Sequence, residues 1–558
     1  MAASLALVSA ALPLPRALGG EILTNATTTV RLDTTVRYSA GVRLESRDPL
    51  QLSDPNADDG NRNFGPGPIS NRLDVLSKLD IDTGLVGFEA SVVGWYDTLY
   101  NRRTDHASPA TFNSPSVPVG RVPGGTRELH GRNIELLGAF AHGTFALADR
   151  PLSVRLGRSS FLWGESLFFA DNGIAAGQTP IDAIKALSVP GIRAAEVYLP
   201  VTQAWASLQP TPDLALEAYY QFEWRKTRLP GAGSYFSAAD FLDAGGERLI
   251  VGPGQFFVRN PDVRAPDSGQ FGVSVRWNRD SGDYGLYALR YHAKEPQIFL
   301  RLGPFVRRSA SPQASIRERA SLYGVAPGAF ITGPNTTINI DYGLYGNTAT
   351  GEVGRFELDY PRGIQLYGAS FNGYLGDTAV AGEIAVRRRM PLVSQPLIVP
   401  VAPIPGVTTV TDYAVGTSLH AQVSAVTVLA QGPLWEGATL AAEIAGNRRL
   451  SFSRNPTAID PTRTRAAVSL RASFEPQYFA VLPGLDLSVP VGFGYALAGR
   501  SSVNQAQLAR VGDVEIGLRA TFRAVWEAGV TFTHFFGPRD RQPYVDRDFI
   551  SFSLQRTF

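Results

Sequence analysis

Between Val511 and Arg523 the even positions Val514, Ile516, Leu518, Ala520 and Phe522 are apolar, and Asp513, Glu515, Arg519, Thr521 and Arg523 alternate with them. A period of two marks a strand with one face in an apolar medium. The same rhythm runs through Arg465 to Glu475, where Ala466, Val468, Leu470, Ala472 and Phe474 oppose Arg465, Ser469, Arg471, Ser473 and Glu475. It returns from Leu214 to Lys226, with Leu216, Ala218, Tyr220, Phe222 and Trp224 on one side and Glu217, Tyr219, Gln221, Glu223 and Arg225 on the other. A soluble sandwich also alternates, so run length has to decide. These runs extend over roughly 10 to 16 residues, against about 5 or 6 in soluble sheets and about 9 to 11 for a tilted strand crossing a bilayer. Aromatics gather near their ends, at Trp95 and Tyr96, at Tyr220 to Trp224, and at Trp526, Phe532 and Phe536, as the interfacial girdles of a membrane barrel do.

The pattern predicts strands near residues 27–46, 70–82, 84–100, 132–146, 151–160, 195–208, 213–227, 269–278 and 283–299 in the first half of the chain. It predicts others near 362–374, 377–389, 415–430, 435–450, 464–478, 483–498, 510–523, 525–537 and 546–558. Short turns such as Ala148 to Pro151 and Ala524–Val525 alternate with long segments: Ser46 to Ser70, Arg102 to Arg132, Arg228 to Asp267, Arg301 to Gly351 and Met390 to Tyr413. The expected fold is therefore an all-β, transmembrane antiparallel barrel of about 16 to 18 strands, with periplasmic turns and long extracellular loops. Residues 161–192 break the rhythm with Trp163-Gly164-Glu165, Asn172-Gly173 and Pro190-Gly191, and a barrel this wide needs something to narrow its lumen. That segment is expected to fold inward as a constriction.

The ends agree with export. Residues 1–20, apolar from Ala2 to Leu14 and closing on small residues, resemble a signal peptide cut near Gly19 or Gly20, leaving 21–558 as the barrel domain. At the other end Ile550, Phe552, Leu554 and the terminal Phe558 alternate as in the C-terminal assembly signal of bacterial outer-membrane barrels, which implies engagement of the barrel assembly machinery. Arg556 departs from that alternation and is expected to snorkel at the membrane rim. Composition adds exclusions. No cysteine is present, so disulfide frameworks and thiol chemistry drop out, and 52 Lys+Arg against 50 Asp+Glu give no general reason to bind nucleic acid.

If apolar positions face lipid, the alternating charges face the lumen. Arg155, Arg225, Arg465, Arg471, Arg519 and Arg523 would then oppose Glu217, Glu223, Glu443, Glu475, Asp513, Glu515 and Glu527. Two readings stay open: a selectivity lining, or a salt-bridge lattice that stiffens the wall. In the constriction, Arg158, Trp163, Glu165, Asn172 and Asp182 would line the path, with Phe161, Leu162, Phe168 and Phe169 as an apolar slide. Neither a Gly-x-Ser-x-Gly elbow nor a His-Glu-x-x-His helix accompanies the scattered histidines, so no enzyme, catalytic residue or cofactor is expected. Asp54-Pro-Asn-Ala-Asp-Asp-Gly60 loosely resembles a calcium loop but lacks its terminal Glu, and it reads as a solvated acidic turn.

The stretch from Arg150 through Trp163-Gly164-Glu165, Asn172-Gly173-Ile174, Thr179-Pro180-Ile181-Asp182 and Pro190-Gly191 to Glu217–Trp224 resembles the proteobacterial DUF1302 family. Asp359-Tyr360-Pro361, Gln365 to Asn372 and Ala381-Gly382-Glu383 are similar to it as well. The resemblance implies an outer-membrane protein of a Gram-negative bacterium, surrounded by lipid bilayer and lipopolysaccharide. It also implies a periplasmic lipoprotein-localisation-like partner, an inner-membrane RND-type exporter, and traffic in hydrophobic or amphipathic molecules. The other readings are a porin for polar solutes and a non-conducting barrel that docks a periplasmic complex.

Overall fold

A computed structural model describes residues 20–25, 27–189, 194–304, 346–347, 349–399 and 411–558. The expected signal peptide thus lies almost wholly outside the described residues. Eighteen strands build the wall. They are β1 Thr29–Arg43, β2 Gly67–Asp82, β3 Val86–Asp97, β4 Arg132–Leu147, β5 Arg150–Ser159, β6 Val201–Thr211, β7 Leu214–Gln221, β8 Gln270–Arg279 and β9 Gly282–Tyr291. The second half comprises β10 Ile364–Leu375, β11 Thr378–Pro391, β12 Val415–Leu429, β13 Gly437–Arg454 and β14 Ala466–Leu482. It continues with β15 in two pieces (Leu485–Ser488 and Val491–Ala498), β16 Gly512–Phe522, β17 Trp526–Phe536 and β18 Phe549–Thr557.

Each strand pairs antiparallel with its chain neighbour, and β18 closes on β1 from Thr35↔Thr557 to Arg43↔Phe549, so the wall has no free edge. Closure lets every backbone group of the wall find a partner inside the sheet, which is what a strand-built structure in hydrocarbon requires. The short strand Gly20–Thr24 adds to the free part of β1 beyond the end of β18.

The period-two rhythm maps onto the two faces. Ile516 and Leu518 are each 50% exposed, while Glu515 between β16's outward residues is 7% exposed. Large apolar side chains point outward on strand after strand, among them Leu156, Val273, Ile384 and Val530. A continuous outward apolar surface of this kind is what a bilayer covers. At one end the strands meet in tight turns. Ala148 (φ 48°) and Asp149 (φ 61°) both adopt the left-handed conformation of a two-residue hairpin whose twist matches that of its strands. Arg523 (φ 52°) sits in the same conformation in the β16–β17 turn, so it belongs to the turn and not, as expected from alternation, to the luminal face.

At the opposite end the long segments are not plain loops. Leu397–Val399, Gln297–Leu302, Glu352–Asp359, Gln255–Arg259 and Arg248–Gly252 form a mixed five-stranded sheet in that order. Its core holds Phe257, Phe356 and Leu358 with Trp224 and Tyr360. This corrects two predicted strands. The run 213–227 leaves the wall at Gln221, because Trp224 is drawn under the loop-borne sheet, 2% exposed and edge-on to Tyr360. The run 283–299 divides into β9 and the separate strand Gln297–Leu302. Much of the predicted segment Arg301 to Gly351 lies outside the described residues. The acidic stretch 54–60 is also corrected. Asp58 and Asp59 are 0% and 1% exposed, packed beneath residues 231–240 rather than solvated.

Candidate functional site

The segment from Ser160 to Pro200, which joins β5 to β6, crosses the lumen and is held on the far wall; its residues 190–193 lie outside the described set. The hold is backbone to carboxylate. Glu383 on β11 accepts the N–H groups of Glu165 (2.9 Å) and Ile174 (3.0 Å), and the side chain of Gln422 (2.9 Å). Glu443 on β13 accepts those of Leu167 (3.2 Å), Phe169 (2.9 Å) and Phe168. Arg387 reaches the other way, donating to the carbonyls of Asp171 (3.1 Å), Asn172 (2.8 Å) and Gly173 (2.8 Å). Such charge-assisted bonds are about twice as strong as neutral ones, so a few of them fix a segment without regular structure of its own.

The odd composition of the segment follows from this contact. Gly164 (φ +91°) lets the chain reverse, and a Cβ at Gly164 or Gly173 would collide with the Glu383 carboxylate. Trp163 is 4% exposed among Phe161, Tyr219 and Tyr287. Asn172 fills the gap between β12 and β13. It donates to Gln422 (3.1 Å) and the Gly446 carbonyl (3.2 Å) and accepts from Asn447 (3.2 Å). His420 links it to Ser418 (3.1 and 2.9 Å), in the order of a nucleophile, base and orienting amide. Ser418 is 0% exposed, however, so no solute reaches its hydroxyl and the three groups serve to seat the segment. Asp182 caps the helix Ala183–Ser188 at the Lys185 N–H (3.1 Å) and pairs with Arg228 (2.8 Å). Lys294, just past β9, donates to the Ala176 carbonyl (2.9 Å), and burial lowers its ammonium to about 7.

Not every expected residue lies in the lumen. Arg155 faces inward, stacked on Phe140 (4.8 Å) and Trp205 (5.9 Å). Arg158 shares the face of outward Leu156 and pairs with Glu223 (2.6 Å) at the long-loop rim. Arg225 lies past the end of β7 and pairs with Glu135 (2.8 Å). Arg465 precedes β14 and binds the carbonyls of Arg449 and Leu450 (3.0 and 3.1 Å). Glu217 is luminal and accepts from Ser274 (3.2 Å). Arg471 pairs with Asp513 (3.0 Å) and Glu515 (3.7 Å), and Arg519 with Glu475 (3.0 Å). At the chain end, Ile550, Phe552, Leu554 and Phe558 point outward, and Arg556 lies over the rings of Trp526 (5.1 Å) and Phe558 (4.4 Å).

The family model described as Protein of unknown function (DUF1302) matches residues 1–558, the whole chain. The protein belongs to the DUF1302 family. No curated protein matches it in sequence. Among solved structures it is similar to OccAB1 of Acinetobacter baumannii, at 10% identity and a TM-score of 0.42 over 95% of this chain and 96% of that one. It is also similar to OpdK of Pseudomonas aeruginosa solved with vanillate (10%, TM-score 0.37, 95% and 98%) and to the outer membrane channel DcaP of A. baumannii (8%, TM-score 0.37, 97% and 99%).

In this DUF1302 member the inward segment leaves a cavity of about 230 Å³ between its tip and β14 to β16. Phe169, Asp171 and Asn172 form one side, Arg471, Tyr495 and Asp513 the other, and loop residues such as Arg463, Arg541 and Tyr544 the long-loop end. Each charged group of the lining already has a partner. Asp171 accepts from Asn504 (2.7 Å), Arg463 pairs with Asp460 (3.3 Å), Arg541 with Asp540 (3.2 Å) and Arg471 with Asp513. Sequence reasoning missed Glu383, Arg387 and His420 as anchors. Their inward parity on strands was readable, but the segment they would face was not.

Proposed function

We propose that the protein is an outer-membrane channel for small apolar or amphipathic molecules, in which the segment after β5 narrows the lumen to the cavity at its tip. The observation that carries this reading is the lining: its charges are spent on one another, and the rings of Phe169, Phe535 and Tyr544 stand among the uncharged groups that remain to meet a solute, beside amides such as Gln505 and Gln507. The cavity is smaller than the roughly 300 to 1,000 Å³ of drug-sized sites, so the cargo is small. A porin for polar solutes would instead present unpaired charge around an open eyelet. The outward apolar wall and the outward residues Ile550 to Phe558 support an outer-membrane setting, with lipid and lipopolysaccharide around the wall and assembly through β18. In this reading the long loops face outside. A periplasmic lipoprotein-localisation-like carrier and an RND-type exporter would exchange cargo at the short-turn end.

The test is conductance in planar bilayers, and solute entry into liposomes, for the refolded barrel with and without residues 165–182. Low conductance that rises on deletion, together with entry of an apolar solute into wild-type liposomes, is the expected outcome. An equally large open conductance in both forms would sink the reading.

A further inference from the structure

The long-loop end holds a second polar cluster, remote from the lumen. Asp58 and Asp59, from the β1–β2 loop, are enclosed with His106 from the β3–β4 loop, at 0%, 1% and 4% exposure. One side-chain donor atom from each lies within 4.8 Å of the others. Asp240, equally enclosed, accepts the Asp59 N–H (2.8 Å), that of Gly233 (3.1 Å) and the Ser237 hydroxyl (2.8 Å). Asp59 accepts from His106 Nε2 (2.8 Å) and from the Asn113 N–H (2.9 Å). One Asp58 oxygen is taken by Arg62. Three carboxyl groups therefore share one enclosed place, and burial pushes Asp58 up to about 6 and Asp59 to about 8.

A second observation points to a ligand. Asp58 Oδ1 and Asn113 Oδ1 receive no hydrogen bond, although both residues are 0% exposed. Asn113 is tied to the cluster through its own N–H. Enclosed polar atoms without a partner are costly and rare, and these two are an amide oxygen, which only accepts, and a carboxyl oxygen, which only accepts once ionised. A bound cation satisfies oxygens of this kind. The donor set also chooses among cations. The Ser108 N–H donates to His106 Nδ1 (3.2 Å), so Nε2 carries the ring proton and gives it to Asp59. The imidazole is then a positioning group behind Asp59 and offers no lone pair to a metal. What is left is oxygen, which suits hard divalent cations and not zinc.

We propose that Asp58, Asp59 and the side-chain oxygen of Asn113 hold a divalent cation of the calcium class, clamping the loops at this end of the barrel. The clamp joins loops already in contact. Asn56 brackets Ile250 on the edge of the loop-borne sheet through both its amide atoms (2.7 and 2.8 Å), and Asn113 donates to the Arg248 carbonyl (3.0 Å).

The experiment is calorimetric titration of Ca²⁺ into full-length, chelator-treated barrel refolded in detergent free of lipopolysaccharide, with Mg²⁺ and Zn²⁺ in parallel. One tight Ca²⁺ per chain is expected, weakened roughly tenfold or more in Asp58→Asn and unchanged in the luminal control Glu217→Gln. Heat-modifiable migration on gels verifies that each variant is folded. Should Asp58→Asn fail to fold, Asn113→Ala, which alters no charge, carries the same expectation. Absence of Ca²⁺ binding to the wild type, Ca²⁺ binding undiminished in the folded variants, or binding of Zn²⁺ alone would each overturn the proposal.

Discussion

Two carboxylates and one guanidinium seat a whole segment in the lumen, which makes single residues unusually consequential. Hydrogen bonds to charged groups are worth about 1.5 to 3 kcal/mol each, and Glu443 accepts from three consecutive backbone N–H groups. Glu443→Gln keeps the shape and loses the charge. It should loosen the Leu167–Phe169 turn and raise single-channel conductance without lowering the yield of folded barrel. Gly173→Ala should act more strongly, because its Cβ strikes the Glu383 carboxylate, which can move aside only by giving up its bonds to the Glu165 and Ile174 N–H groups. His130 contributes one part of the loops' acid response, opposed by Asp58 and Asp59, whose raised values add stability as pH falls. Burial first, then Arg72 and Arg228, pulls His130 down to about 3, where it stacks on Tyr100 at 4.9 Å and accepts the Gly231 N–H. A folded value below the ordinary 6.5 means that stability is complete above about 6.5 and is lost as pH falls toward 3. The ratio of the proteolysis rate of the 98–131 loop in the wild type to that in His130→Gln should therefore rise as pH drops from about 7 to about 5.

At the scale of elements, hairpin chemistry offers a direct test. Ala148 and Asp149 both hold positive φ in a turn that favours Asn-Gly, and the left-handed region costs ordinary residues about 1 to 2 kcal/mol. The double change Ala148→Asn, Asp149→Gly should stabilise the β4–β5 hairpin by about 1 kcal/mol, read as a higher midpoint in urea-driven unfolding from lipid vesicles. The wall strands were legible in the sequence because their signals are local: alternation over a long run needs no knowledge of the partner. The loop-borne sheet was not. Its strands, such as Arg248–Gly252 and Gln255–Arg259, are short, and half of its pairings join distant parts of the chain in parallel. Trp224 shows the other limit, since an apolar residue at a strand end looks the same whether lipid or a protein core covers it. Likewise alternation puts Arg225 in the lumen, though it lies beyond its strand, and Arg158, expected in the constriction, lies on the outward face. The inward segment announced itself by broken rhythm, whereas its anchors Glu383 and Glu443 looked like any luminal acid.

For the molecule as a whole, the two faces of the wall should respond oppositely to charge. Leu518→Arg places a cation on the lipid side of β16 and should cost about 2 to 4 kcal/mol if it lies at the bilayer midplane. Arg519→Gln, one residue on, removes a partly exposed luminal pair with Glu475 and should stay within about 1 kcal/mol. Equal costs measured by unfolding from vesicles would contradict the assignment of faces. The seam of the wall carries a further consequence. Phe558 exchanges backbone hydrogen bonds with Thr34 (2.9 and 3.2 Å), while Gly20 stands opposite Leu32 on the same side of β1 and runs in the same direction as β18. Only the place opposite Asp33 separates the last residue of the chain from Gly20. On that side β1 is thus covered first by Gly20–Thr24 and then by β18, and the only gap in the cover between them is the single position opposite Asp33.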